Sequence, residues 1–188
     1  MLYYSHRFSK DIDIFLNDAQ LLSSLSPRLN PSLESRSDIR EYDEQSNFVK
    51  IRFADDFSID FILAPELTKN SVRAYCYHGS LIKIEKPIEI ILKKLFYRSA
   101  TFTARDIFDL AVFASKSSHD RDVVRSILGE KIPMLRGRLE QMRKYYEAEL
   151  KTYTIFYPEH FVRDSLEISC RYLHELSQNT PDAHPAIS

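Results

Sequence analysis

Glycine is scarce: the 188 residues include three, Gly79, Gly129 and Gly137, and none in the first 78 positions. A glycine-rich loop that grips phosphate with its backbone N–H groups is therefore excluded from the N-terminal half. Cys76 and Cys170 are the two cysteines, far apart and at no metal-ligand or redox spacing, so both are expected as buried free thiols. No apolar run approaches the ~18 to 20 residues that cross a bilayer, and the first eight residues lack an apolar core followed by a cleavage site. A cytoplasmic protein with no membrane partner is expected. The formal net charge of −1 gives no global pull toward nucleic acid, so an RNA partner would have to be recognised by a local patch. His6, His78, His119, His160, His174 and His184 stand at no ligand spacing with a cysteine or with one another, which leaves zinc chemistry and a Ser-His-Asp triad without positive support.

Hydrophobic residues (44%) and charged residues (28%) are present in the proportions of a folded soluble protein. The length suits one core, or one core with a small helical appendage. Residues 9–16 alternate as a short strand, with a small helix expected over 18–25 and a loop or broken short helix over 26–37. Residues 48–53 and 57–63 read as a hairpin, and 72–77 with 81–84 as a second strand pair turning at His78, Gly79 and Ser80. Helical spacing then takes over at 88–96, 104–116 (Thr103 or Thr101 as cap), 120–128, 133–150 and 158–176. Pro181 and Pro185 mark a tail from Ser177 expected to be disordered. Strands first and helices afterwards predict an α+β fold, a mixed sheet with flanking helices and a C-terminal helical bundle.

Two constellations could carry chemistry. Asp11 and Asp13, two apart on a strand, point the same way at roughly 7 Å, so both could reach one divalent ion; alternatively they face solvent on an edge strand. Asp60 stands within an otherwise apolar strand, where a carboxylate needs a cation or hydrogen-bond donors. It is either a third metal-site carboxylate or a hydrogen-bonded or exposed hairpin residue. Magnesium suits such oxygen ligands and leaves positions for phosphate oxygens. The second constellation is Lys94, Arg98, Arg105, Asp106 and Asp109. Lys94 and Arg98 share a helix face, as do Arg105 and Asp109. The cations could bind a triphosphate, or the face could be solvated and carry a helix ion pair. Tyr145, Tyr146, Tyr153 and Tyr157, mixed with Arg143, Lys144 and Lys151, could stack on RNA or pack as a helix with snorkelling cations.

The segment His6-Arg7-Phe8-Ser9-Lys10-Asp11-Ile12-Asp13-Ile14-Phe15, followed by Lys94-Leu95 and Arg105-Asp106-Ile107-Phe108-Asp109-Leu110, resembles the signatures of the AbiEii/AbiGii nucleotidyltransferase toxins over residues 2–115. The resemblance implies a nucleotidyltransferase-like domain at 1–115 with a helical region at 116–176 packed on it, ahead of the tail at 177–188. It also implies a type IV abortive-infection toxin that transfers a nucleotide from a magnesium-bound nucleoside triphosphate to an acceptor such as tRNA, beside a cognate antitoxin. Carried over by position, Asp11, Asp13 and Asp60 are the metal and catalytic carboxylates. Ser9, Lys94, Arg98, Arg105, Asp106 and Asp109 are the nucleotide-binding group, with Lys94 contacting phosphate and Asp106 and Asp109 positioning Lys94 or the nucleotide. The family also places a Gly-Gly or Gly-Ser turn ahead of the Asp-x-Asp strand. Only ten residues precede Asp11, none of them glycine, so the chain is expected to be N-terminally truncated relative to the family. The alternative is a catalytically inactive member acting as a protein-binding module. An exposed sheet edge left by the missing element would allow a homodimer.

Overall fold

The structure is a computed structural model that describes residues 3–117 and 120–178. The chain divides into two compact units, Ser9–Glu66 on the one hand and Met1–Phe8 with Leu67–Ser188 on the other.

The smaller unit is a four-stranded mixed sheet. Its strands are β1 (Asp11–Leu16), β2 (Ile39–Gln45), β3 (Phe48–Phe53) and β4 (Ser58–Leu63), in the order β1-β4-β3-β2. β1 runs parallel to β4, and the other pairs are antiparallel. Between β1 and β2 lie helix α1 (Gln20–Leu25), a 3-10 turn at Pro27–Leu29 and helix α2 (Pro31–Glu34), which fill the segment expected as a loop or broken helix. Val49 and Ile51 of β3 bury with Leu22 of α1, and Leu16, Phe53, Phe61 and Leu63 pack around them. Strand alternation sends Asp11, Asp13, Lys50, Arg52, Ser58 and Asp60 to the opposite face. β2 was not expected from the sequence, because IREYDEQ has no clean apolar period. It is held by its pairing to β3.

The larger unit carries the hairpin β5 (Val72–Tyr77) and β6 (Ser80–Glu85), a separate two-stranded sheet. Its turn has positive φ at both central residues, His78 (47°) and Gly79 (81°), the backbone of a type I′ turn, which is why glycine stands there. Helices α3 (Pro87–Tyr97), α4 (Ala104–Lys116), α5 (Arg121–Leu128), α6 (Ile132–Met142), α7 (Tyr146–Leu150) and α8 (Glu159–Gln178) complete the unit. α4 is its centre. Ile107, Phe108, Leu110 and Val112 are fully buried, and the buried Ser169 of α8 donates to the Ile107 carbonyl at 2.8 Å. Truncating a side chain such as Phe108 there would cost about 3–5 kcal/mol. At the N-terminal end of the chain, Phe8 N–H donates to the Thr154 carbonyl and Phe156 N–H to the His6 carbonyl, tying residues 6–8 to 154–156.

Several expectations need correction. The run 133–150 is two helices, α6 and α7, because the chain tightens to three-residue hydrogen bonds at Arg143 and Tyr145. Cys76 is exposed on the hairpin, and Cys170 is half-buried. Ser177 and Gln178 belong to α8, while the rest of the expected tail, 179–188, lies outside the described residues. Among the described residues, no helix is long and apolar enough to cross a membrane.

Candidate active site

The sheet face opposite α1 is a grid of polar side chains. Register places Asp13 beside Asp60, Asp60 beside Lys50 and Lys50 beside Asp43, one residue from each strand. The neighbouring row is Asp11, Ser58, Arg52 and Glu41. Lys50 Nζ donates to Asp60 Oδ2 at 2.9 Å, and Arg52 pairs with Glu41. The Ser58 hydroxyl lies 2.8 Å from Asp11 Oδ1 and 3.2 Å from Asp60 Oδ1. A hydroxyl has one hydrogen, so two acceptor-only carboxylates converge on a single donor.

Asp11, Asp13 and Asp60 therefore share one face, as the strand spacing predicts, and Asp60 is only partly buried, with Lys50 and Ser58 supplying the partners its apolar strand demands. Lys50 and Ser58 are the contributors that sequence reasoning missed. The signal available was their phase: Lys50 alternates with Val49 and Ile51, and Ser58 stands two before Asp60, so each shares Asp60's face.

Among the described residues, no group of three or more His, Cys, Asp or Glu side chains is arranged to hold a metal ion. The donor chemistry nevertheless suits a hard divalent cation. Asp11 and Asp13 are oxygen ligands two apart on one strand, and Asp11 and Asp60 already converge on one hydroxyl, an approach of like charges that a cation relieves. Asp60 is engaged by the Lys50 ammonium.

The second constellation belongs to the larger unit and is mostly buried. Asp106 is the N3 residue of α4 and closes a capping box: Asp106 N–H donates to Thr103 Oγ1, while Thr103 N–H and Oγ1 both donate to Asp106 Oδ2. Its other oxygen accepts from Lys94 Nζ at 3.0 Å, with Arg98 at 3.6 Å. One helical turn on, Asp109 also accepts from Lys94. Asp109 further takes a bidentate pair from Arg7, Nε at 2.7 Å and Nη2 at 2.8 Å, and a bond from His6 Nε2 at 2.7 Å. Because the carboxylate can only accept, His6 Nε2 is the donor, and Nδ1 has no hydrogen-bond partner among the described residues.

Burial alone would raise the Asp106 and Asp109 carboxyls. Lys94 overcomes it at both, joined by Thr103 and Arg98 at Asp106 and by Arg7 and His6 at Asp109. Both are held below the ordinary carboxylate range, Asp109 far below.

The expected shared face of Lys94 and Arg98 is present, since both reach Asp106. The expected Arg105–Asp109 pair does not form. Asp109 is taken by Arg7 and Lys94, and Arg105 Nε is buried without a hydrogen-bond partner among the described residues. Ser9 belongs to the sheet unit and is exposed. Of the four tyrosines considered for stacking, Tyr146 is buried and donates to or accepts from Ser165, whereas Tyr145 is exposed.

The sequence matches the family model of the nucleotidyl transferase AbiEii toxin of type IV toxin–antitoxin systems over residues 1–155. The chain belongs to the AbiEii family. Two solved structures share the fold. MenT4, nucleotidyltransferase toxin Rv2826c from Mycobacterium tuberculosis H37Rv, has a TM-score of 0.57 at 14% identity over 93% of this chain and 71% of that one. JHP933 from Helicobacter pylori has a TM-score of 0.51 at 16% identity over 93% of this chain and 78% of that one. No curated protein matches the AbiEii chain. The α+β, nucleotidyltransferase-like architecture and the toxin family expected from the sequence are those observed.

Proposed function

We propose that this AbiEii-family toxin transfers a nucleotide from a magnesium-bound nucleoside triphosphate to an RNA acceptor such as tRNA, using the open face of its four-stranded sheet. The carrying observation is the meeting of Asp11, Asp13 and Asp60 on one face, with Ser58 between Asp11 and Asp60. In this reading Asp11 and Asp13 hold the divalent cation, and Asp60 takes the proton of the attacking hydroxyl. The cation, when bound, supplies charge stabilisation at the phosphates. Ser58 orients the two carboxylates, and the Lys50 hydrogen bond aims Asp60. In the larger unit, Asp106 and Asp109 position Lys94, and the Arg98 side chain is 45% exposed. The setting proposed is cytoplasmic, with a cognate antitoxin as regulator. A homodimer would form through the β1 edge of the sheet.

The test is transfer of labelled nucleotide from each triphosphate to total tRNA with magnesium, comparing the wild type with Asp11→Asn/Asp13→Asn. Labelling should fall at least ~100-fold in the variant, while its thermal stability stays close to that of the wild type. The Lys50–Asp60 pair also favours a second reading, an inactive member that binds a partner. Wild-type protein that neither binds a triphosphate nor labels any RNA would replace the first reading with this one.

A further inference from the structure

In the hairpin β5–β6 every residue from 73 to 83 is exposed, and the Arg73 guanidinium lies over the Tyr3 ring at 4.4 Å. A lone two-stranded sheet is marginal in water unless something packs on it, so an exposed one is suited to a ligand. Its charge is one-sided. From residue 67 to 84 there is no Asp or Glu, while Lys69, Arg73 and Lys83 are present, and Glu85 at the hairpin's base is tied to Lys93.

Alternation puts Arg73, Tyr75 and Tyr77 on one face, with Ile82 opposite Tyr75 in register. Tyr77 is 55% exposed and Tyr75 37%. The His78 ring meets Tyr77 edge-on at 4.5 Å, fixing the outer ring beside the turn. The two tyrosines stand roughly 7 Å apart along the strand, about twice the ~3.4 Å step between stacked bases. That spacing fits neighbouring bases that have come apart from one another, each laid on its own ring. An apolar protein surface would make little use of the cations, and a duplex presents no free base faces for the rings.

We infer that the β5–β6 hairpin is a stacking platform for single-stranded RNA, with Tyr75 and Tyr77 taking successive bases and Arg73, on the same face, supplying charge to the backbone. The inference deepens the reading that the acceptor is an RNA and rests on it.

The experiment is fluorescence anisotropy of a short, unstructured, labelled RNA of mixed sequence with the full chain. Wild type should bind the strand, and Tyr75→Ala/Tyr77→Ala should weaken binding about tenfold or more. Arg73→Glu should weaken it too, with a shallower salt dependence of binding. Asp11→Asn/Asp13→Asn should bind RNA as the wild type does, and the tyrosine double variant should bind triphosphate as the wild type does, which separates failure of the platform from failure of the sheet site. Three results would overturn the platform: no strand binding by the wild type, equal binding by the tyrosine double variant, or a wild-type dimer in sedimentation that the tyrosine substitutions dissociate. The last would assign the face to a second copy.

Discussion

Two groups of acids and bases in this protein have similar chemistry and opposite surroundings. On the open sheet face, Lys50 and Asp60 keep side-chain exposures of 24% and 21%, and Asp11 shares one serine hydroxyl with Asp60. In the larger unit, Asp106 and Asp109 are 0% and 4% exposed at the side chain, and four cationic or imidazole side chains converge on them. Water can replace a lost partner in the first group and cannot in the second. Exchangeable partners are what a site that binds and releases a cation and a triphosphate needs. Saturated, desolvated partners are what a joint needs, here fixing residues 6–7 to α4 and α3. The Arg-Asp-x-x-Asp pattern on α4 is thus a folding element in this structure, whatever else it contacts.

The contrast makes its largest prediction at Asp109. Asp109→Asn leaves Arg7 and Lys94 buried without their counter-charge, a loss of about 3–5 kcal/mol. For a chain of this size that lowers Tm by roughly 6–20 °C, read by thermal or denaturant unfolding. A shift under about 1 kcal/mol would mean the buried group is no more structural than the exposed one.

The sheet face could be read from the sequence because its information is local. Asp11 and Asp13 alternate with Ile12 and Ile14, and Asp60 alternates with Ile59 and Phe61, so period alone assigns their faces. The buried group could be read only in part. The three- and four-residue spacings that align Lys94 with Arg98 and Asp106 with Asp109 are visible, but the Arg7 and His6 partners of Asp109 come from more than a hundred residues away. Nothing local announces such a contact, and the local candidate, Arg105, was the wrong one. The break between α6 and α7 was hidden for a related reason. Leu139, Met142, Tyr146 and Leu150 are all buried and keep three- and four-residue steps straight through it, so the apolar period shows no interruption. Cys76 was misplaced because a hydrophobic strand pair implies a covering layer, and none of the described residues provides one.

Acid sharpens the comparison next. The carboxyls of Asp106 and Asp109 lie below their ordinary value in the folded protein, so the stability they contribute is complete above the unfolded carboxylate pKa of about 3.9. As pH falls through that value, the unfolded chain binds protons that the folded cluster refuses, and stability drops by up to about 1.4 kcal/mol per pH unit for each group. Unfolding free energies measured between neutral pH and pH 3 should show this slope in the wild type and a smaller one in Asp109→Asn. Equal slopes would place the acid sensitivity elsewhere in the chain.

The smallest effect is expected at Lys50. Its bond to Asp60 is partly open to solvent, so Lys50→Met should change stability by less than about 1 kcal/mol, a few degrees of Tm at most. Its effect on the proposed transfer should be larger, because Asp60 would lose the hydrogen bond that aims it. The readout that separates the two is kcat for transfer set beside Tm: kcat should fall about tenfold while Tm holds. An unchanged kcat would leave Lys50 a structural neighbour of Asp60. A stability loss matching that of Asp109→Asn would remove the distinction between the two groups altogether.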